Sequence, residues 1–143
     1  MAHKKQFKNG TMIMGFSQKA FIFNKNRKFL IMRRTKTAPF GPLEWDLPGG
    51  DIEFGEDPIK SIIREVKEET GLTIKNPIPF DVYAGLDSEN DYWVTVAFKA
   101  FKHKGKLAIS WEHDLYKWVT IDEFLKLKIT DRFRKYAKNL KKI

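Results

Sequence analysis

One stretch of the chain constrains its fold more than any other: Pro58–Thr70, which reads Pro-Ile-Lys-Ser-Ile-Ile-Arg-Glu-Val-Lys-Glu-Glu-Thr. Asp57 suits the capping position before a helix, Pro58 its first position, and Gly71 the residue just past its end. Ile59, Ile62, Ile63 and Val66 share one face, which needs a sheet to cover it, whereas Glu65, Glu68 and Glu69 at i, i+3 and i+4 share another. Strand-like segments lie on both sides. Phe21-Ile22-Phe23 and Phe29-Leu30-Ile31-Met32 flank the polar run Asn24–Lys28 and read as two strands joined by a short turn. Phe80–Leu86 and Tyr92–Phe101 have strand composition, with Val94, Val96 and Phe98 on one face of the second, and Leu107–Ile109 and Tyr116–Val119 read as shorter strands. Thr37–Pro48, with its prolines around Phe40 and Trp45, reads as a loop that covers a site. Asp122–Lys128 and Asp131–Leu140 close the chain as helices, so the fold class is α/β.

With 143 residues, 42% of them hydrophobic and 14% aromatic, the chain can bury one real core, and no repeat or Pro/Gly/Ser-rich linker divides it. One domain over residues 1–143 is expected. The absence of cysteine excludes disulfides and a thiolate zinc site, and fits a reducing, cytoplasmic setting. The basic start, Met1–Lys8, precedes no apolar run long enough for a signal peptide, and no stretch is long enough to span a bilayer. A net charge of +9 draws anions: phosphorylated metabolites, nucleic acid or acidic lipid. Much of the excess lies in the last segment, where Lys126, Lys128, Arg132, Arg134, Lys135, Lys138, Lys141 and Lys142 surround Phe133, Tyr136, Ala137 and Leu140 at helical spacing. Two readings stand for it: a solvated face on a terminal helix, or a strip that binds RNA.

The three carboxylates of the central helix are poorly compensated by sequence. Arg64 and Glu68 form an i,i+4 pair, but Glu65 meets Glu68 and Glu69 at its forward positions, and neither Glu65 nor Glu69 has a cation three or four residues away. Each like-charge pair costs about 0.2–0.5 kcal/mol, and carboxylates near a helix C-terminus oppose its dipole by roughly 0.3–1 kcal/mol. A solvated helix tolerates such costs, so the arithmetic tilts without deciding. A hard cation, Mg²⁺ or Mn²⁺, turns the conflict into a binding site and recruits substrate phosphates as further ligands.

The segment Gly50–Leu72 resembles the Nudix box, G-x5-E-x7-R-E-U-x-E-E-x-G-U with U a bulky aliphatic residue. Gly50, Glu56, Arg64, Glu65, Val66, Glu68, Glu69, Gly71 and Leu72 fill every fixed position, and Trp45-Asp46-Leu47-Pro48-Gly49 is similar to the family's approach to the box. The resemblance implies an α/β/α sandwich with a mixed sheet and a phosphoanhydride hydrolase acting on a nucleoside di- or triphosphate-type substrate. It implies that Glu65, Glu68 and Glu69 bind the catalytic cations, that the Gly49 carbonyl completes a metal shell, and that Arg64 and Glu56 orient the carboxylates. A homodimer is also plausible by that resemblance.

Water attack on phosphorus needs a base. Glu65 or Glu68 can serve within the box, and Glu112, in Ser110-Trp111-Glu112-His113-Asp114, is the candidate from a later loop. His113 reads as structural, and Asp87, Glu89 and Asp91 read as a polar turn. Arg33 and Arg34 end a strand before the proline-rich loop and are candidates for substrate phosphate, although strand alternation lets only one point inward. Phe40, Trp45, Tyr83 and Tyr92 are candidates to stack on a base, with core packing as the alternative for each. Pro77 and Pro79 come too early for the ADP-ribose hydrolase mark, and Tyr83 and Tyr92 do not meet the tyrosine spacing of dinucleoside polyphosphate hydrolases. The absence of these marks points toward nucleoside triphosphates or a broad range. Alternatives are an RNA-binding module on this fold and an RNA 5′-pyrophosphohydrolase.

Overall fold

The computed structural model describes residues 7–9 and 12–142, with side chains from residue 14 onward; the basic start Met1–Lys8 falls mostly outside these residues. Its elements in chain order are β1 (Phe7–Asn9), β2 (Met12–Ile22), β3 (Phe29–Arg34), β4 (Trp45–Asp46), β5 (Gly49–Asp51), α1 (Pro58–Thr70), β6 (Thr73–Lys75), β7 (Ile78–Leu86), β8 (Tyr92–Ala100), β9 (Lys102–Lys104), β10 (His113–Val119), α2 (Ile121–Leu125) and α3 (Asp131–Lys141). The main sheet runs β1-β2-β8-β7, with β5 also on β2. It is mixed: β2 and β8 are parallel and the other pairs antiparallel. A three-stranded sheet, β10-β3-β4, and a two-stranded one, β6-β9, complete it. Ala20, Ile22, Val96 and Phe98 pack with Ile62 and Val66 of α1, while Phe21 and Ala97 pack with Phe133, Tyr136 and Ala137 of α3. The arrangement is an α/β/α sandwich.

Helix α1 has the expected bounds and caps: the Asp57 carboxylate accepts from Lys60 N, and Gly71, at φ 77°, closes the helix by donating to Lys67 O. The strands read on either side of Asn24–Lys28 are both present, as β2 and β3, and the turn between them closes the bridge Phe23–Phe29; beyond it β2 pairs with β8 on one side and with β1 and β5 on the other, and β3 with β10 and β4. Two other expectations are corrected. Leu107–Ile109 is not a strand. The backbone there satisfies the last carbonyls of α1, with Ala108 N donating to Thr70 O (2.8 Å) and Ser110 N to Glu69 O (3.0 Å), and strand pairing falls instead to Lys102–Lys104. The helix read over Asp122–Lys128 stops at Leu125, where Arg134 takes the freed carbonyls of Leu125 and Leu127. No helix of the described residues is long and apolar enough to cross a membrane.

Candidate active site

Strand β5 puts two glycines against two carboxylates of α1. Gly49 N donates to Glu69 Oε1 (2.9 Å), and a Cβ built on Gly50 would lie 2.7 Å from the Glu65 carboxylate. Gly49 itself sits at φ 154°, where a Cβ would meet Gln18 O at 2.0 Å, so the close approach of β5 to β2 requires glycine. Arg64 ties the remaining acids together: Nη1 donates to Glu68 Oε1 (2.8 Å), and Nη2 to Glu56 Oε2 (2.8 Å) and Glu65 Oε1 (3.3 Å). Glu56 is anchored in turn by Glu53 N (2.9 Å), and this hydrogen bond, ahead of Arg64, lowers its pKa. The cation that sequence arithmetic denied Glu65 is thus its immediate neighbour.

The three helix carboxylates do not converge equally. Glu65 and Glu69 turn toward β5, while Glu68 turns to Arg64 and is 55% exposed. Among the described residues no group of three or more His, Cys, Asp or Glu side chains is drawn together as a ready metal shell. The donor set nevertheless suits a hard cation. Burial raises the pKa of Glu65 against the pull of Arg64, and pushes that of Glu69 up to about 7 against Lys19 and the Gly49 N–H. These are desolvated acids, and a divalent ion with oxygen ligands would offset their charge.

Beside them opens a cavity of about 700 Å³, whose lining includes Gly50, Lys19, Arg34, Tyr83, Trp93 and Arg132. Its charge is organised around Asp46, a buried residue of β4. Asp46 Oδ1 accepts from Lys19 Nζ (3.0 Å) and Oδ2 from Arg34 Nε (3.1 Å), and His113 Nε2 stands 3.8 Å away. Burial alone would raise the Asp46 pKa; Lys19, His113 and Arg34 together hold it well below the usual carboxylate range.

The arginine pair divides as alternation requires. Arg34 lines the cavity, whereas Arg33 is turned away into a two-pronged pair with Asp114 (2.9 and 3.0 Å). Glu112 is exposed; its carbonyl accepts from Thr35 N (3.2 Å), and its loop is fastened two residues earlier to Glu69 O. Phe40 and Tyr83 line the cavity, whereas Trp45 packs on the core under Lys117, and Tyr92 lies outside the cavity lining. Sequence reasoning missed Lys19, Asp46, Trp93 and the placement of Arg132. The one signal for Lys19 was a lone charge inside the otherwise uncharged run Met12–Phe23.

A NUDIX domain model matches residues 17–140, most of the chain and all of the site just described. The chain belongs to the NUDIX domain family. It is similar to an RNA pyrophosphohydrolase of Acidiphilium cryptum, 39% identical over 54 residues that cover 38% of this chain and 33% of that protein. It is also similar to an 8-oxo-dGTP diphosphatase of Escherichia coli, 37% identical over 68 residues that cover 48% of this chain and 50% of the relative. The matched stretch thus spans a third to a half of these curated relatives. Among solved structures, a MutT protein of Methanosarcina mazei superimposes with a TM-score of 0.78 at 26% identity, over 90% of this chain and 94% of the other. This NUDIX domain therefore has the fold expected of it.

Proposed function

We propose that this chain is a divalent-metal-dependent pyrophosphohydrolase that cleaves a phosphoanhydride of a nucleoside di- or triphosphate-type substrate by attack of water on phosphorus. The observation that carries the reading is the seating of Glu65 and Glu69 on the two glycines of β5, at the edge of a cavity that also presents Lys19 and Arg34. The names borne by the relatives, RNA pyrophosphohydrolase and 8-oxo-dGTP diphosphatase, agree with it. Glu65, Glu68 and Glu69, with the Gly49 carbonyl, would hold Mg²⁺ or Mn²⁺, which when bound lowers the pKa of water and neutralises charge on the phosphates. Lys19 and Arg34 take phosphate oxygens, and Asp46 holds both cations in place before substrate arrives. Arg64 fixes the rotamers of Glu56, Glu65 and Glu68. Glu65, Glu68 or Glu112 accepts the proton of the attacking water. The lack of cysteine agrees with a reducing, cytoplasmic setting.

The test is a phosphate- and pyrophosphate-release screen over a nucleotide panel with Mg²⁺ and with Mn²⁺. Turnover that survives exhaustive chelation, or no turnover of any phosphoanhydride, refutes the reading. A second reading, removal of pyrophosphate from triphosphorylated RNA, is favoured by a groove of about 490 Å³ in which Arg134, Lys135, Lys138 and Lys142 outnumber Asp81 and Asp131, and which shares Asp131 with the cavity. It predicts salt-dependent RNA binding together with pyrophosphate release. Salt-dependent binding without turnover would instead favour an RNA-binding module.

A further inference from the structure

Strand β2 runs beneath both halves of the site. Its residues Ser17 and Lys19 line the cavity, and alternation turns Gln18, between them, to the opposite face, under α1. Gln18 is fully buried. With its amide turned so that each atom meets a partner, Oε1 accepts from Ile62 N (2.9 Å) and from Ser61 Oγ (2.9 Å), and Nε2 donates to Pro58 O (3.2 Å). Ile62 N and Pro58 O are the donor and acceptor of a single i→i−4 rung of the helix ladder. A side chain of the sheet thus reaches into the first turn of α1 and holds both sides of one rung.

The stability of the core does not call for this amide. Ala20 and Ile22, on the same face of β2, pack in an apolar cluster with Ile62 and Val66. An apolar side chain of the same size would leave the two groups of the rung free to bond one another, and would leave Ser61 Oγ its contact with Glu56 (3.4 Å). What the amide adds is a fixed orientation, since a fully matched buried polar contact specifies one arrangement of its members.

That orientation bears on the two seated carboxylates. At about 100° per residue, Pro58, Ile62, Glu65 and Glu69 fall within about 60° of one another on the helix surface. Gln18 pins this stripe at its start and Gly49 N–H, donating to Glu69 (2.9 Å), pins it at its end, while Glu65 lies between them against Gly50. Both pins belong to one paired backbone: Gln18 is the register partner of Gly50, and its carbonyl oxygen is what a Cβ on Gly49 would meet at 2.0 Å.

We infer that Gln18 is a positioning residue of this site, which fixes the roll and slide of α1 on β2 so that Glu65 and Glu69 stay seated on Gly50 and Gly49. The inference rests on the proposed function in taking Glu65 and Glu69 as ligands of the cation.

The test is Gln18→Met in the intact chain, which keeps length and packing and removes the amide. Three quantities are measured: Tm, amide hydrogen exchange by NMR, and Mn²⁺ affinity from the electron paramagnetic resonance signal of the free ion. Tm is expected to move by only a few degrees, and the core amides of Phe21 and Phe98 to exchange as before. The Gly49 amide is expected to exchange about tenfold faster, and Mn²⁺ to bind about 10- to 100-fold more weakly. Unchanged Gly49 exchange or unchanged Mn²⁺ affinity overturns the inference. So does a variant that fails to fold, or whose core amides exchange faster in step with Gly49, because the amide would then be structural only. In the wild-type chain, where no variant need fold, absence of nuclear Overhauser contacts from the Gln18 side-chain amide to Ser61 and Ile62 overturns it as well. A wild-type chain that binds no Mn²⁺ refutes the metal-dependent reading instead, and the Gly49 amide then decides the role of Gln18 alone.

Discussion

Asp46→Asn keeps the shape of the residue around which the cavity is organised and removes its charge. The wild-type carboxylate meets Lys19 Nζ at 3.0 Å, with both side chains about nine-tenths buried, and also meets Arg34 Nε at 3.1 Å. Deleting one partner of such a pair leaves a charge stranded out of water, which costs about 3–5 kcal/mol. Lys19 keeps the Leu47 carbonyl at 3.2 Å and the field of Glu69, so the lower end is expected, ~3 kcal/mol, a fall in Tm of roughly 10 °C for a chain of this length. The sign of the pH dependence follows from the depressed pKa of Asp46. The folded state binds its proton more weakly than the unfolded state, so the carboxylate contributes fully above the unfolded pKa of about 3.9 and loses that contribution as pH falls from there through the folded value. Thermal unfolding followed by circular dichroism at pH 7 and near pH 3 should therefore show a wide gap between wild type and Asp46→Asn that narrows in acid. A gap under about 1 kcal/mol at pH 7, or one independent of pH, would refute the argument. The exposed pair Asp122–Lys141 is the control, and Asp122→Asn should leave Tm unchanged.

Glu69→Gln and Glu68→Gln should retain the fold by circular dichroism and lose most turnover, and full hydrolysis by either would remove it from the metal set. Arg34→Ala should raise KM for a nucleotide by about tenfold or more, from the loss of a charge-assisted contact, whereas Arg33→Ala, away from the cavity, should leave steady-state kinetics unchanged. Gly50→Ala should displace the Glu65 carboxylate, the far end of a flexible side chain; kcat is expected to fall at least tenfold while Tm shifts by only a few degrees, and an unchanged kcat would show that the seat does not matter. Glu112→Gln should lower kcat by roughly 10²–10⁴ if Glu112 is the base, and unchanged turnover would assign that role within the helix.

Helix α1 was legible because everything that defines it is local: Asp57 and Gly71 at its ends, the isoleucines on one face, the acids on another. The strands β7 and β8 were legible for the same reason. The partners of β2 were not legible, because residues 21–32 carry no record that its edges are claimed by β5 and by β8, the latter more than seventy residues away. Leu107–Ile109 has strand composition, but backbone groups bond where acceptors are free, and those nearby belonged to the last turn of α1.

The site divides along the same line. The carboxylates and the glycines that seat them lie within Gly49–Glu69, so a single contiguous segment carries the part expected to act on the phosphoanhydride. The cavity is assembled from Lys19 on β2, held by Asp46 on β4, with Trp93 and Thr95 on β8 and Arg132 on α3, and apart from the lone charge of Lys19 and the place of Asp46 just before the box, sequence neighbours mark none of them. In sequence Arg132 is one of eight cations in a basic tail, yet it is the one turned inward onto Thr95, while Lys135 pairs with Asp81 in the neighbouring groove and Lys141 pairs with Asp122 on the surface. A substitution at the start of α3 can thus alter what enters the cavity without touching the box. A motif shared by relatives with different substrates therefore constrains the reaction far more tightly than the molecule on which it is performed.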